Sequence, residues 1–281
     1  MIPAVVDYRS QLRSAIGAVE ICSPFEFRWL GVSVEAIPRR FRSMFGGPRA
    51  RAALIGKLTD QLYRCFYAVG GIARPEPQRT SGERLPFMRS CADVLREGWQ
   101  GPSFECTNGY FILDHGLGRP RASTEMLRIY LNTAPDDAAS LAVWLASRMK
   151  FLSVAFTVKF LDDPAEYARS DTCVLYIESV QFQAASSVLR GDQPTHTPLR
   201  PPIPAFTKMI AVGIGLAEDP ERGGSFGMDR CALVAEGLLR SHERGIADVD
   251  GRLGEVVQCF AERQLSVDEP YLNPGSDDIR T

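Results

Sequence analysis

Lysine and histidine are scarce in this chain of 281 residues. Of 32 basic residues only four are lysines, Lys57, Lys150, Lys159 and Lys208, and there are three histidines. His115, His196 and His242 lie far apart in sequence, which argues against a histidine-based metal site. The seven cysteines never form a C-x-x-C pair and are odd in number. They indicate neither zinc nor a disulfide framework and read as buried thiols of a reducing cytoplasm. No apolar run reaches the roughly 18 residues that a membrane-spanning helix needs. The N-terminal stretch MIPAVVDYRSQLRSA lacks the basic-then-apolar pattern of a secretory signal. A net charge of −2 gives no electrostatic footprint for a nucleic-acid partner. Nucleotide motifs are missing too: the Gly213–Gly215 pair is followed by Glu218 where a dinucleotide loop needs glycine. No kinase signature accompanies Lys159, and no G-x-S-x-G occurs. The reading is of a cytoplasmic protein without cofactor or metal, whose chemistry rests on Lys, Arg, Tyr and His115.

What is present is first a large apolar content, 45%, enough for one large core or two smaller ones. In an arginine-rich background, a lysine kept inside an apolar strand draws attention. Arginine cannot release its proton in a protein, whereas a desolvated lysine can act as a base. Helical apolar spacing covers 4–20 and 49–69, with Leu54, Leu58, Leu62, Cys65 and Phe66 in one stripe. Between them IPRRFRSMFGGPRAR is a basic loop, able to grip an acidic peptide or simply solvated. Residues 74–86 read as an exposed linker, followed by a short helix.

From Phe104 the pattern changes to strands. Asn108-Gly109 predicts a tight hairpin turn. The region 127–176 reads as strand, helix, strand, turn, strand: LRIYLNT, a helix opened by Asp136 or Asp137, FTVKF and TCVLYI. In the first, Arg128, Tyr130 and Asn132 alternate with Leu127, Ile129 and Leu131; in FTVKF, Thr157 and Lys159 oppose Phe156, Val158 and Phe160. A polar row of Arg, Tyr and Asn beside a strand-borne Lys is an anion-binding floor or the solvent face of an ordinary sheet. A helix at 180–190 precedes a proline-rich stretch, RGDQPTHTPLRPPIPAF, long enough to be a lid or binding loop. Lys208 and a glycine-spaced strand follow, then helices at 229–244 and 252–264. The acidic tail after Val267 reads as frayed. The fold class is α+β: a helical N-terminal part over 1–100, a candidate for peptide recognition, and a sheet with packed helices over 101–281.

The ordered set RIYLN (128–132), FTVKF (156–160), YARSD (167–171), VLYI (174–177) and GLAEDP…SFGMDRC…AEGL (215–238) resembles the HopA-type effector family. Members outside pathogens look like lyase partners in pathways to ribosomally made, modified peptides, including thioviridamide-like thioamides and class V lanthipeptides. The family is distantly similar to phosphothreonine lyase effectors. That resemblance implies a metal- and nucleotide-independent carbon–oxygen lyase that removes phosphate from a phosphorylated precursor peptide, leaving dehydroalanine or dehydrobutyrine. It implies a separate kinase partner. Lys159 is then the base, Arg169 and Arg230 hold phosphate, and Arg128 and Lys208 are secondary contacts. Tyr130 stands where those effectors carry the histidine acid, so the acid is Tyr130, His115 or water. Two other readings stay open: a non-catalytic peptide-binding partner of the kinase, and an effector-like interaction protein.

Overall fold

The computed structural model describes residues 6–75, 82–101, 104–115, 125–191, 198–221 and 223–278. In chain order these form helix α1 (Tyr8–Gly17), strands β1 (Val19–Ser23), β2 (Glu26–Trp29) and β3 (Val32–Glu35), and helices α2 (Gly47–Leu62) and α3 (Arg84–Gly98). The second part runs β4 (Glu105–Thr107), β5 (Tyr110–Asp114), β6 (Met126–Leu131), α4 (Ala138–Phe151), β7 (Phe156–Leu161), β8 (Cys173–Glu178) and α5 (Phe182–Arg190). It closes with β9 (Lys208–Ala211), β10 (Ile214–Glu218), α6 (Phe226–Glu243) and α7 (Val249–Ala261). Among the described residues no helix is long and apolar enough to cross a membrane.

Alternation of side chains builds the main sheet. It has seven antiparallel strands in the order β4-β5-β7-β8-β6-β10-β9. The β4–β5 hairpin turns at Asn108 and Gly109, both with positive φ (52° and 86°), as a two-residue turn between twisted strands requires. Period-two patterning gives the sheet two unlike faces. On one, Leu127, Ile129, Leu131, Val158, Phe160, Leu175 and Ile177 are fully buried against Leu95 of α3, Leu141 and Leu145 of α4 and Phe182 of α5. On the other, β6 and its neighbours present Arg128, Tyr130, Lys159, Val174 and Tyr176.

That second face is covered by the N-terminal part. Tyr130 and Val174 belong to a second core with Leu54, Leu58 and Phe66 near α2 and Phe226 and Leu238 of α6. Helix α2 packs on α6 and α1 on α7, so the packing does not break at residue 100. The N-terminal part also holds an antiparallel meander, β1-β2-β3, beside its helices. Its short alternation, Phe27 and Trp29 buried against exposed Arg28, is closed by a turn at Leu30 and Gly31 with φ of 49° and 80°.

Two expectations change, and two fall partly outside the described residues. The tail after Val267 is not frayed over its described length: Val267, Tyr271 and Leu272 are buried. Arg230 donates to the Pro270 and Leu272 carbonyls, and Glu218 accepts from Asn273 N–H. Backbone polar groups paired with buried charges hold this acidic segment down. The cysteines are free, but Cys22 and Cys106 are exposed, because β1 and β4 turn those positions away from either core. Six residues of the proline-rich stretch, 192–197, and part of the 74–86 linker lie outside the described residues.

Candidate active site

Register brings the polar face together. Lys159 of β7 pairs with Val174 of β8, and Val174 pairs with Tyr130 of β6, so the three lie in one row across the sheet. Neighbouring strands lie about 4.8 Å apart, which puts Lys159 and Tyr130 roughly 10 Å from each other across Val174. The adjacent row holds Tyr176 opposite Arg128. Above this floor is a cavity of about 420 Å³, walled also by Tyr63, Tyr67, Tyr110, Arg169, Asp171, Gly224, Ser225 and Met228.

Lys159 is the unusual cation. Its Nζ lies 4.8 Å from the Tyr110 ring centroid and 5.1 Å from that of Tyr176. It has neither a carboxylate partner nor a hydrogen-bond acceptor among the described residues. Burial pulls its pKa below the ordinary lysine range, and Arg128 adds to that, against the opposing pull of Tyr110, Asp171 and Asp219. Phe156 and Phe160 sit on the opposite face, and the lowering cation is Arg128.

The two arginines in the cavity are held by internal carboxylates. Arg169 Nε and Nη2 donate to the two Asp171 oxygens, each at 2.8 Å, and Nη2 also donates to Tyr63 Oη at 2.9 Å. Tyr63 in turn donates to Asp171 at 2.9 Å. Arg128 pairs with Asp219, donates to the Gly224 carbonyl at 2.5 Å and lies over Tyr176. Its Nη1 is without a partner among the described residues and Arg169 Nη1 reaches only Glu166, at 3.4 Å. Each guanidinium is therefore fixed by one edge and has donors to spare. Burial pushes the Tyr130 phenol well above its usual pKa, so it stays protonated, and the Tyr67 ring stands edge-on to it with centroids 6.4 Å apart.

Loop and helix ends complete the wall. The stripe of α2 continues into a π-helical turn, Tyr63–Tyr67, which delivers Tyr63 and Tyr67 as a stacked pair with centroids 5.2 Å apart. Single π turns inside helices are frequent at functional sites. The start of α6 approaches Tyr67 so closely that a Cβ on Gly227 would meet the ring at 2.2 Å. Ser225 caps that helix, its Oγ accepting from Met228 N–H at 3.4 Å, and the first-turn N–H groups favour an anion there.

Of the residues singled out from sequence, Lys159, Tyr130, Arg128 and Arg169 meet in this cavity. Arg230, His115 and Lys208 do not line it. Arg230 is fully buried, with its guanidinium spent on Pro270, Leu272 and Asp229, so it holds the C-terminal segment instead of a phosphate. His115 stacks on Phe156 at 5.4 Å with Trp99 edge-on, at the far end of β5. Lys208 pairs with Asp278 at 2.8 Å on the outer strand β9. Sequence reasoning missed Asp171, Tyr63, Tyr67 and Tyr110. Asp171 was within sight, two residues after Arg169, but no sequence signal ties residues 63 and 67 to a loop a hundred positions away.

Residues 102–272 match the HopA1 effector protein family. Solved structures similar to this chain include two effector proteins. An effector protein from Pseudomonas syringae pv. tomato strain DC3000 aligns at 16% identity and a TM-score of 0.55, over 77% of this chain and 90% of that one. An effector protein from Pseudomonas syringae pv. syringae strain 61 aligns at 16% identity and a TM-score of 0.49, over 76% of this chain and 88% of that one. At that identity the first likeness speaks for a shared fold alone. No curated protein matches the chain in sequence.

Proposed function

The chain belongs to the HopA1 effector protein family, and from that premise we propose that its cavity is the active site of a phosphoserine/phosphothreonine lyase. The substrate is a phosphorylated precursor peptide of a ribosomally synthesised, modified product, phosphorylated beforehand by a separate kinase. The observation that carries the reading is Lys159, a desolvated amine between two aromatic faces with no carboxylate partner among the described residues, on a floor shared with two pre-oriented arginines.

In the reaction, neutral Lys159 Nζ takes the Cα proton of the phosphorylated residue. The C–H electrons form the Cα–Cβ double bond as the Cβ–O bond breaks, and phosphate leaves with that electron pair. The products are a dehydroamino acid, phosphate and the lysine ammonium. Spare N–H groups of Arg128 and Arg169 and the first turn of α6 receive the phosphate oxygens. Tyr130, kept protonated by burial, is placed across Val174 from the base. From there it donates to the leaving oxygen or to the enolate-like carbonyl that develops when the proton is removed. Asp171 and Asp219 hold the arginines in place before substrate arrives, so little reorganisation is needed on binding.

A binding-only reading draws on one feature, the neutralisation of both arginines by Asp171 and Asp219. The test separates the two. A synthetic phosphothreonine peptide is incubated with the protein alone, in chelator and without nucleotide, and its intact mass is followed. Elimination gives the mass of the dehydro product, and Lys159→Arg slows its appearance by about a hundredfold or more. A product retaining the side-chain oxygen would mean hydrolysis, and tight binding without any mass change would mean a carrier.

A further inference from the structure

The meander β1-β2-β3 has one edge covered and one that is open among the described residues. On the covered side, Arg252 of α7 donates to the Val19 carbonyl at 2.8 Å. On the other, β3 pairs with β2 alone among the described residues. Hydrogen-bonded and non-bonded pairs alternate along an antiparallel ladder. Ala36 N–H bonds the Phe25 carbonyl at 2.8 Å, so the register makes Phe27/Val34 and Trp29/Val32 the bonded pairs. The N–H and C=O groups of Ser33 and Glu35 therefore point outward, along the open edge. Natural sheets blunt such edges with lysine, proline or a bulge. Here β3 is Val-Ser-Val-Glu, and its one charge is paired with Arg42 at 3.3 Å and Arg39 at 3.6 Å.

What surrounds this edge is basic and apolar. Residues 37–51 contain five arginines and no acidic residue. Arg42 is paired with Glu26 and Glu35 and Arg51 with Glu236 and Glu243, which leaves Arg39, Arg40 and Arg49 as the exposed charge. Arg40 and Arg49 have no carboxylate partner among the described residues, and Arg39 is largely exposed beyond its contact with Glu35. Val32 is 54% exposed at one end of the strand, and Phe41 and Met44 in the following turn are 40% and 69% exposed. A backbone edge gives an extended peptide its affinity and flanking side chains give it selectivity.

We propose that β3 is a docking edge for an extended, acidic peptide segment, which adds to the meander as a fourth strand with carboxylates toward Arg39 and Arg40. The meander stands on the same core as the π turn that supplies Tyr63 and Tyr67, with Trp29 Nε1 donating to the Ala73 carbonyl at 2.8 Å and Ala73 N–H to that of Cys65. A peptide held there would have one part anchored away from the cavity while another part reaches it. The proposal is independent of what chemistry the cavity performs.

The probe is a fluorescein-labelled synthetic peptide of alternating glutamate and valine, with a lysine–valine peptide as its counterpart. The full chain should bind the first, more weakly as salt rises, and not the second. Site-resolved amide exchange should slow at Ser33 and Glu35 on binding and stay unchanged at Val32 and Val34, whose N–H groups already face β2. Ser33→Pro removes an outward donor without touching the inward ladder, and should weaken binding at least about tenfold, the worth of one such bond. Arg40→Glu should weaken it too, and serves if Ser33→Pro does not fold. Failure to bind, equal binding of the lysine peptide, or indifference to both edge variants would overturn the proposal. So would dimerisation of the chain that Ser33→Pro abolishes, because the edge would then belong to a second copy.

Discussion

The two faces of the main sheet are made of the same strands and do opposite things. On β6 the residues Leu127, Ile129 and Leu131 sink into the core with α3, α4 and α5, while Arg128 and Tyr130, one step along, floor a polar cavity. Both sets are buried, so burial alone does not tell a packing residue from a functional one. The difference lies in what each side chain finds around it. The apolar face is saturated with contacts. Among the described residues the polar face holds groups whose bonding is incomplete: a lysine without an anion, and arginines with one edge occupied and donors left over. The lesson is that unfinished bonding in a buried place marks the site.

The comparison breaks most sharply at Lys159. Lys159→Arg keeps the charge but not a removable proton, and should slow single-turnover elimination by about 10²–10⁴-fold, the usual worth of a positioned base. Its unfolding midpoint should stay near that of the wild type. Retained turnover would put this lysine among the packing residues.

A pH series sharpens the same point. Burial lowers the Lys159 pKa, so the neutral fraction grows with pH and the rate should reach its plateau below the pH at which an exposed lysine, near 10.4, would release its proton. The sign for stability follows. Between the folded and the higher unfolded pKa the unfolded chain binds more protons, so the contribution of Lys159 to stability rises with pH across that window. A rate profile that climbs only near the ordinary lysine value would remove the base assignment.

On the apolar face the effect should be on stability. Leu175→Ala, at a fully buried position directly behind the floor, should cost about 2–5 kcal/mol in urea unfolding. The molecules that remain folded should still bind phosphopeptide. A selective loss of binding would mean that the two faces are less separable than their chemistry suggests.

The smallest expected effects distinguish two arginines that the sequence presents alike. Arg169→Ala should weaken binding of a phosphopeptide by about 1.5–3 kcal/mol, as for a hydrogen bond to a charged group, and leave the unphosphorylated peptide unaffected. Arg230→Ala should do the reverse, lowering stability as the Pro270 and Leu272 carbonyls lose their donor while phosphopeptide discrimination survives. Titration calorimetry alongside thermal unfolding reads both.

Much of this was legible from residue order because it depends on local periodicity. The alternation of 127–132 and 156–160, the Asn108-Gly109 turn and the apolar spacing of α4 and α6 each express a geometry that spans only a few residues. Those patterns determined that the chain is α+β, that Lys159 shares a sheet with Arg128 and Tyr130, and that each faces away from the apolar core. Tertiary structure decided the rest. Whether a strand's polar face meets solvent or a cavity depends on what is laid over it, and here that cover is a π turn a hundred residues upstream. Whether an arginine is available depends on its neighbours. Arg169 and Arg230 differ in nothing the sequence displays, yet one faces the cavity and the other is consumed by backbone carbonyls forty residues downstream. The physical reason is range: side-chain alternation is set by bonds within a strand, while a charge's freedom is set by partners that only folding brings within hydrogen-bonding distance.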